Sequence, residues 1–427
     1  MKKKEDTIIL GGGLSGLSVA HYIGGDSLVL EAEETPGGLC RSFHKDGFTY
    51  DIGGHILFSK DGLLLDEITG WLGENVDQKR RNNQIRYRDR FVKYPFENGL
   101  SALDRQDVYE CLISFLNRPD LIPENLEEWC FARFGRGIAE KYLIPYNRKI
   151  WKRNLKELSL LWVDRIPDPS REEIVKSALG IETEGYVYQL NFLYPKRGGI
   201  QALIHSLLNQ LPEVKTGFWV KNIIRRKEGW EIMDGNRSVL GKRIISTIPI
   251  FNLINSLESV PDKVRDALKK LQYNSVVVVM IGVNHEGLTG RTALYIPDPD
   301  ILAHRVCYLK EFSSWNAPEG KSHLIAEITV PPGDPLLKSE DSKLVEQVAA
   351  DLKDICGFSK DDIISSDVKR VGYAYVVYDL EYEKNTKIIY DYLDSLGIYY
   401  AGRFGSFKYI NMDACVKMSK ELVESLT

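Results

Sequence analysis

Long apolar runs are missing from this chain of 427 residues. None approaches the ~20 residues a helix needs to cross a bilayer, so no membrane insertion is expected. The longest β-branched stretch, Val276-Val-Val-Val-Met-Ile281, is short and reads as a buried strand. The opening Met1-Lys-Lys-Lys-Glu-Asp6 carries charge but no apolar region before the first strand, so it does not read as a signal peptide. The six cysteines are scattered, with no metal-ligand or redox spacing. A reducing cytoplasm is the simplest setting for them, and Cys40 reads as a small apolar filler. The seven histidines form no H-x-x-x-H cluster, so no metal is expected. Charge of either sign is not in excess: 56 basic against 60 acidic residues leave a net −4, and no nucleic-acid-binding surface is implied. Repeats and low-complexity segments are also absent. A hydrophobic fraction of 43% with 27% charged residues is that of a globular protein, and the length calls for two or three domains.

What the chain does have is glycine in a meaningful place. Thr7-Ile-Ile-Leu-Gly-Gly-Gly-Leu-Ser-Gly16 reads as an apolar strand entering a glycine turn and then a helix. Gly11, Gly13 and Gly16 fit G-x-G-x-x-G: a tight turn, a close approach for a pyrophosphate, and close packing of helix on strand. Leu14 and Ser15 open the helix, whose N-terminal N–H groups would face the phosphates. Leu28-Val-Leu30 is a second strand. Glu31 ends it where an acid binds a ribose hydroxyl, with Ala32 behind it. Glu34-Thr-Pro-Gly-Gly-Leu-Cys-Arg-Ser42 then looks like the second glycine motif of FAD enzymes of the glutathione-reductase-like and amine-oxidase-like group. Gly38 and Leu39 would approach the cofactor, and Arg41 would hold a cation near its phosphates. FAD is favoured over NAD.

The fold class expected is α/β: a discontinuous Rossmann-like FAD domain (1–83, 194–270 and 381–427) with two insertions. Residues 100–193 form a helical insertion, with helices over Asp107–Leu116 and Leu126–Tyr142. Residues 84–99, a hairpin turning near Arg88-Asp89, join 271–380 in an antiparallel sheet domain. Strands are expected at Val214–Val220, Trp230–Met233 and Arg243–Thr247, and helices at Gln201–Gln210, Ser342–Ile355 and Asp413–Leu426. Ile398–Tyr400 with Gly402 would complete the cofactor site.

Longer segments narrow the family. Gly53-Gly-His-Ile-Leu-Phe-Ser59, Tyr94-Pro-Phe-Glu-Asn98, Pro145-Tyr-Asn-Arg-Lys-Ile-Trp151, Trp162-Val-Asp-Arg165, Tyr194-Pro-Lys-Arg-Gly-Gly199 and Gly402-Arg-Phe-Gly-Ser-Phe-Lys-Tyr409 together resemble the UDP-galactopyranose mutases, particularly their eukaryotic-type branch. The resemblance implies interconversion of pyranose and furanose forms of a nucleotide sugar, with N5 of reduced FAD as nucleophile on the anomeric carbon. It implies that Arg165 and Arg305 face the diphosphate, as arginine suits a bidentate anion, and that Tyr373 and Tyr409 donate to it. Tyr94, Tyr142, Tyr146, Asn147 and Trp151 would form the uridine pocket, although a helix face packed with aromatics into a core reads equally simply. Gly54 and His55 would lie against the flavin, His55 either catalytic or structural. Arg403 would meet the FAD, and Asn411 the substrate. Glu97 stands where the branch carries glutamine, which opens the question of base or sugar specificity.

NADPH or NADH is the candidate reductant. With no second dinucleotide fingerprint it would share the substrate cleft. The partner implied is a nucleotide sugar, UDP-linked by the resemblance, in the cytoplasm. Oligomeric state, homo-oligomer included, is open. The competing reading is an oxidase of the amine-oxidase or protoporphyrinogen-oxidase kind, with a hydrophobic chamber and no cation pair beside the flavin. A nonenzymatic FAD protein would leave the polar and aromatic residues without a role.

Overall fold

Thr7–Leu10 is apolar on both faces, as a central parallel strand must be. In the computed structural model, which describes residues 4–25, 27–184, 190–211 and 214–426, β1 (Lys4–Leu10) runs parallel between β2 (Ser27–Leu30) and the strand Ser238–Ser246. The helix α1 (Leu14–Ile23) connects β1 to β2. Beyond β2 lies Val214–Lys215. The C-terminal half of Ser238–Ser246 pairs in parallel with Ile398–Tyr400, and its N-terminal half pairs antiparallel with Gly229–Met233, which leads on to Asn222–Arg226. The final helix, Met412–Glu424, packs on α1. Three distant stretches of chain therefore build one sheet.

A second sheet also has seven strands. Its order is Ile363–Val377, Gln272–Val283, Ser322–Val330, Arg305–Cys307, Ala293–Tyr295, Asn83–Tyr87, Arg90–Lys93. Neighbours are antiparallel except Ala293–Tyr295 with Asn83–Tyr87. The valine run lies in Gln272–Val283, buried from Asn274 onward.

The helical part holds Arg105–Leu116, Leu126–Ile138 and Ile144–Trp151, with Arg171–Ala178 behind. Part of the expected insertion, 185–189, lies outside the described residues, as does the start, 1–3.

Several boundaries differ from the sequence reading. The helix expected to Tyr142 is interrupted at Gly135, whose φ of 71° is non-helical; a side chain there would run into the backbone of Ser114 on the neighbouring helix. From Ala139 to Leu143 the chain makes a π turn. Pro145, two residues beyond, has no N–H for the carbonyl four residues back, which explains the widened turn. The strand expected over Val214–Val220 ends at Lys215, because Gly217 turns the chain with φ 61°. The strand expected over Arg243–Thr247 is the tail of the longer strand Ser238–Ser246, which ends one residue before Thr247. The final helix begins at Met412 and ends at Glu424. No helix of the described residues is long and apolar enough to cross a membrane.

Candidate active site

The glycine turn between β1 and α1 forms a cradle. Gly11 takes φ 100°, and its N–H donates to Leu30 O at 2.8 Å, tying the turn to β2. A side chain at Gly16 would strike the carbonyl of Gly11, which is why helix and strand can meet so closely. Gly13 and Gly38 face each other across a gap: a Cβ on Gly13 would find nothing nearer than Gly38 Cα at 3.8 Å. Gly13 caps α1 without a side-chain bond, so the first N–H groups of α1, from Leu14 and Ser15 on, are turned toward an incoming anion. Glu31 is buried, and its carboxylate accepts from Gly12 N at 2.5 Å and Glu33 N at 2.8 Å. Ala32 and Leu39 are half-buried beside it. Arg41 donates to Gly38 O at 3.1 Å and pairs with Glu33 at 3.6 Å, a cation on the rim. Gly402 approaches Ser15 so closely that a side chain would collide with it. A bound FAD fits this cradle: open glycine faces for the pyrophosphate, a buried acid at the ribose and a capless helix end.

Deeper in, Asp51 organises two glycine turns. Fully buried, it accepts from Ser42 Oγ (2.6 Å), Tyr194 Oη (2.6 Å) and Ile200 N (3.2 Å). Burial raises its pKa to about 6. This network was not legible in the sequence; the acid next to Ile-Gly-Gly-His was its only local trace. Gly54 N donates to Glu327 Oε1 at 3.3 Å. The neighbouring His55 keeps its Nδ1 buried with no partner among the described residues. Burial, with Arg403 adding to it, lowers its pKa to about 4, so its imidazole is neutral at physiological pH.

Arg305 and Glu327 sit opposite each other on neighbouring strands and pair bidentately at 2.8 and 2.6 Å. Glu327 is 2% exposed. Although burial alone would raise its pKa, Arg305 and the surrounding donors hold it down at about 2. Sequence reasoning missed Glu327, because only strand register brings it to Arg305. Tyr375 Oη lies 3.4 Å from the same carboxylate, and the Tyr375 ring stacks on Tyr409 at 5.8 Å. Tyr409 lies between two guanidinium groups, Arg165 at 4.6 Å and Arg403 at 4.2 Å from its ring. Arg165 also donates to Tyr409 O and to Asn411 Oδ1. Arg403 donates to Ile410 O and Ala374 O. Residues from the helical part, the second sheet and the C-terminal segment thus meet at one place.

Two of the expected substrate residues make contacts the sequence did not foretell. Tyr373 donates to Asn252 Oδ1 at 3.0 Å and packs on Phe251, Tyr273 and Phe404, whereas it is Tyr375 that lies beside Glu327 and Tyr409. Asn147 spends its amide inside its own helix, donating to Leu143 O (2.8 Å) and accepting from Trp151 Nε1 (3.0 Å). It thereby orients Trp151. Trp151 in turn meets Trp162 edge-on at 4.7 Å.

A second aromatic row runs Phe96, Tyr142, Tyr146, Tyr295, Tyr94, with consecutive ring centroids 4.8 to 5.6 Å apart. Beside it a small cavity of about 30 Å³, lined by Gly54, Tyr295, Arg305 and Cys307 among others, shares Arg81 and Asn83 with a larger one of about 330 Å³. Tyr94 lines the latter.

Residues 14–417 match the model for flavin-containing amine oxidoreductases. The chain belongs to that family. Among solved structures, this flavin amine oxidoreductase is similar to a reduced UDP-galactopyranose mutase, at 25% identity and TM-score 0.91, over 99% of this chain and 94% of that one. It also shares the fold of a protein of Exiguobacterium sp. 255-15 described as a protoporphyrinogen oxidase, at 20% identity and TM-score 0.79, with 100% and 99% covered. In sequence it is 21% identical to the chloroplastic protoporphyrinogen oxidase 1 of Spinacia oleracea, over 82% of this chain and 71% of that protein.

Proposed function

We propose that this flavin amine oxidoreductase homologue is a mutase that interconverts pyranose and furanose forms of a nucleotide sugar, UDP-galactose or a relative. The observation that carries this reading is the convergence of Arg165 and Arg403 on Tyr409, beside Tyr375 and the Arg305–Glu327 pair. An oxidase acting on an apolar substrate has no use for such a cluster, whereas a departing diphosphate needs fixed cations and neutral donors. Arg165 and Arg305 would hold the diphosphate through its departure and return. Tyr375, its pKa well above 10 through burial, stays protonated and donates. The partly exposed members of the aromatic row, Tyr146, Tyr295 and Tyr94, would offer ring surface for the base. Reduced FAD, when bound, would supply the nucleophile for the anomeric carbon. The likeness in fold to the mutase supports the same reading. The reading includes a cytoplasmic setting and a nicotinamide nucleotide as reductant.

The test is to purify the flavin-loaded protein, reduce it with dithionite, supply UDP-galactopyranose or UDP-galactofuranose, and resolve products by chromatography. Interconversion by the reduced form alone is the expected result. Arg165→Ala is expected to lower turnover roughly 10²–10³-fold, the size of losing one charge-stabilising donor, with the flavin spectrum unchanged; full activity in that variant would remove Arg165 from the role.

The similarity to protoporphyrinogen oxidase favours one second reading, oxidation of a porphyrinogen. Rapid oxygen consumption with such a substrate and no sugar interconversion would establish it instead.

A further inference from the structure

Lys149 has no part in the machinery above, yet it is a buried cation. It sits on the helix Ile144–Trp151 and is 7% exposed. Its ammonium donates to two backbone carbonyls, Ile296 O at 2.9 Å and Asp298 O at 2.6 Å. Burial pushes its pKa down to about 7 against the pull of Asp298, so holding a charge there is unfavourable. An apolar side chain of similar length would fill the same space at less cost. What the ammonium adds is direction.

The two carbonyls belong to the turn that leaves the strand Ala293–Tyr295. Ile296 is held from its other side as well, its N–H donating to His304 O at 2.9 Å. Tyr295 comes immediately before it. One turn before Lys149 on the helix lies Tyr146, a neighbour on the helix surface. The Tyr146 ring meets that of Tyr295 edge-on at 5.6 Å, and Tyr295 stacks on Tyr94 at 4.8 Å. The helix therefore touches this strand and its turn at two points, one through rings and one through Lys149.

The end of the helix is fixed separately. Asn274 Nδ2, from the second sheet, donates to Ile150 O at 3.1 Å and Trp151 O at 2.8 Å. With the helix already anchored there, the piece that Lys149 secures is the turn after Tyr295.

We propose that Lys149 is a positioning residue for nucleotide binding: by tying the turn Ile296–Asp298 to the helix it holds the Tyr295 ring against Tyr146, and so preorganises the ring surface that receives the nucleotide. The inference rests on the nucleotide-sugar reading of the site. Lys149 itself touches no ligand. It acts through Tyr295, so its effect on binding exists only while that ring is present.

The experiment is a double-mutant cycle on the full flavin-loaded chain, with UDP affinity read by calorimetry at pH 6.5. Lys149→Met keeps the stem and removes the donors. It is expected to weaken UDP binding about tenfold, the cost of ordering one freed side chain on binding. KM for UDP-galactopyranose is expected to rise by a similar factor while kcat changes less. In a Tyr295→Ala background the same substitution is expected to cost no further UDP affinity, although melting temperature falls in both backgrounds. Lys149→Gln, which keeps an amide donor, is expected to bind UDP with intermediate affinity, and it carries the cycle if the methionine variant purifies without flavin. Unchanged UDP affinity in both Lys149 variants overturns the proposal, and so do losses that simply add in the double variant, because a general structural role makes the two sites independent. If the wild type itself does not bind UDP, the nucleotide-sugar reading falls, and the positioning role with it.

Discussion

Glu327 shows how much one buried acid controls. It receives both arms of Arg305 and lies close to Gly54 N and Tyr375 Oη, so it fixes a cation, a backbone turn and a phenol together. Replacing it by glutamine leaves Arg305 charged and poorly matched. Breaking a buried pair of this kind costs about 3–5 kcal/mol, so Glu327→Gln is expected to show a clear fall in melting temperature at pH 7. The pH dependence has a definite sign. The folded-state pKa of Glu327 is lowered from 4.5 to about 2, so its contribution is present above the ordinary carboxylate pKa and is lost as pH falls from about 4.5 toward 2. Melting curves across that acid range should show the wild type losing more stability than the variant. A parallel fall in both proteins would mean that other carboxylates govern acid unfolding.

Gly16 and Pro145 act through the elements they shape. Gly16→Ala would push α1 away from β1, because the added methyl meets the carbonyl of Gly11; the variant is expected to purify without the yellow flavin spectrum. Normal flavin content would mean the helix can shift at little cost. The cradle was legible because Gly11, Gly13, Gly16 and Glu31 lie within one strand–helix–strand unit, where spacing alone fixes geometry. Tyr373 and Tyr375 were not separable, because their difference arises between strands. Asn274 faces Tyr375 while Val276 already faces Val371, so three residues bow out of the ladder there and Tyr373 turns to Phe251. The bonds of Asn147 were hidden for a similar reason: the motif shows an amide, but only the helix shows that its neighbours use both ends of it. Glu31 announces itself in sequence, whereas the partnership of Arg305 with Glu327 depends on register.

On the scale of the molecule, the cofactor sheet is assembled from separated pieces, and the last piece has two duties. Ile398–Tyr400 pairs with Ser238–Ser246, and Gly402–Asn411 brings Gly402 to the cradle and Tyr409 to Arg165. A chain cut after Gly397 is expected to lose both bound flavin and nucleotide affinity, read from the visible spectrum and by calorimetry. Retained flavin in that truncated chain would show that β1, β2 and their helix hold the cofactor unaided.

The same layout sets a timetable for the protein's birth. Thr247, which bonds to Leu10 O, lies 237 positions later in the chain. At synthesis rates of about 5–20 residues per second, β1 waits roughly ten to fifty seconds for the strand that should cover one of its edges. During that interval the unpaired backbone edge of β1, with its apolar end Ile8–Leu10, is open to other chains. A growing polypeptide of this design therefore depends on whatever shields its first strand at the ribosome.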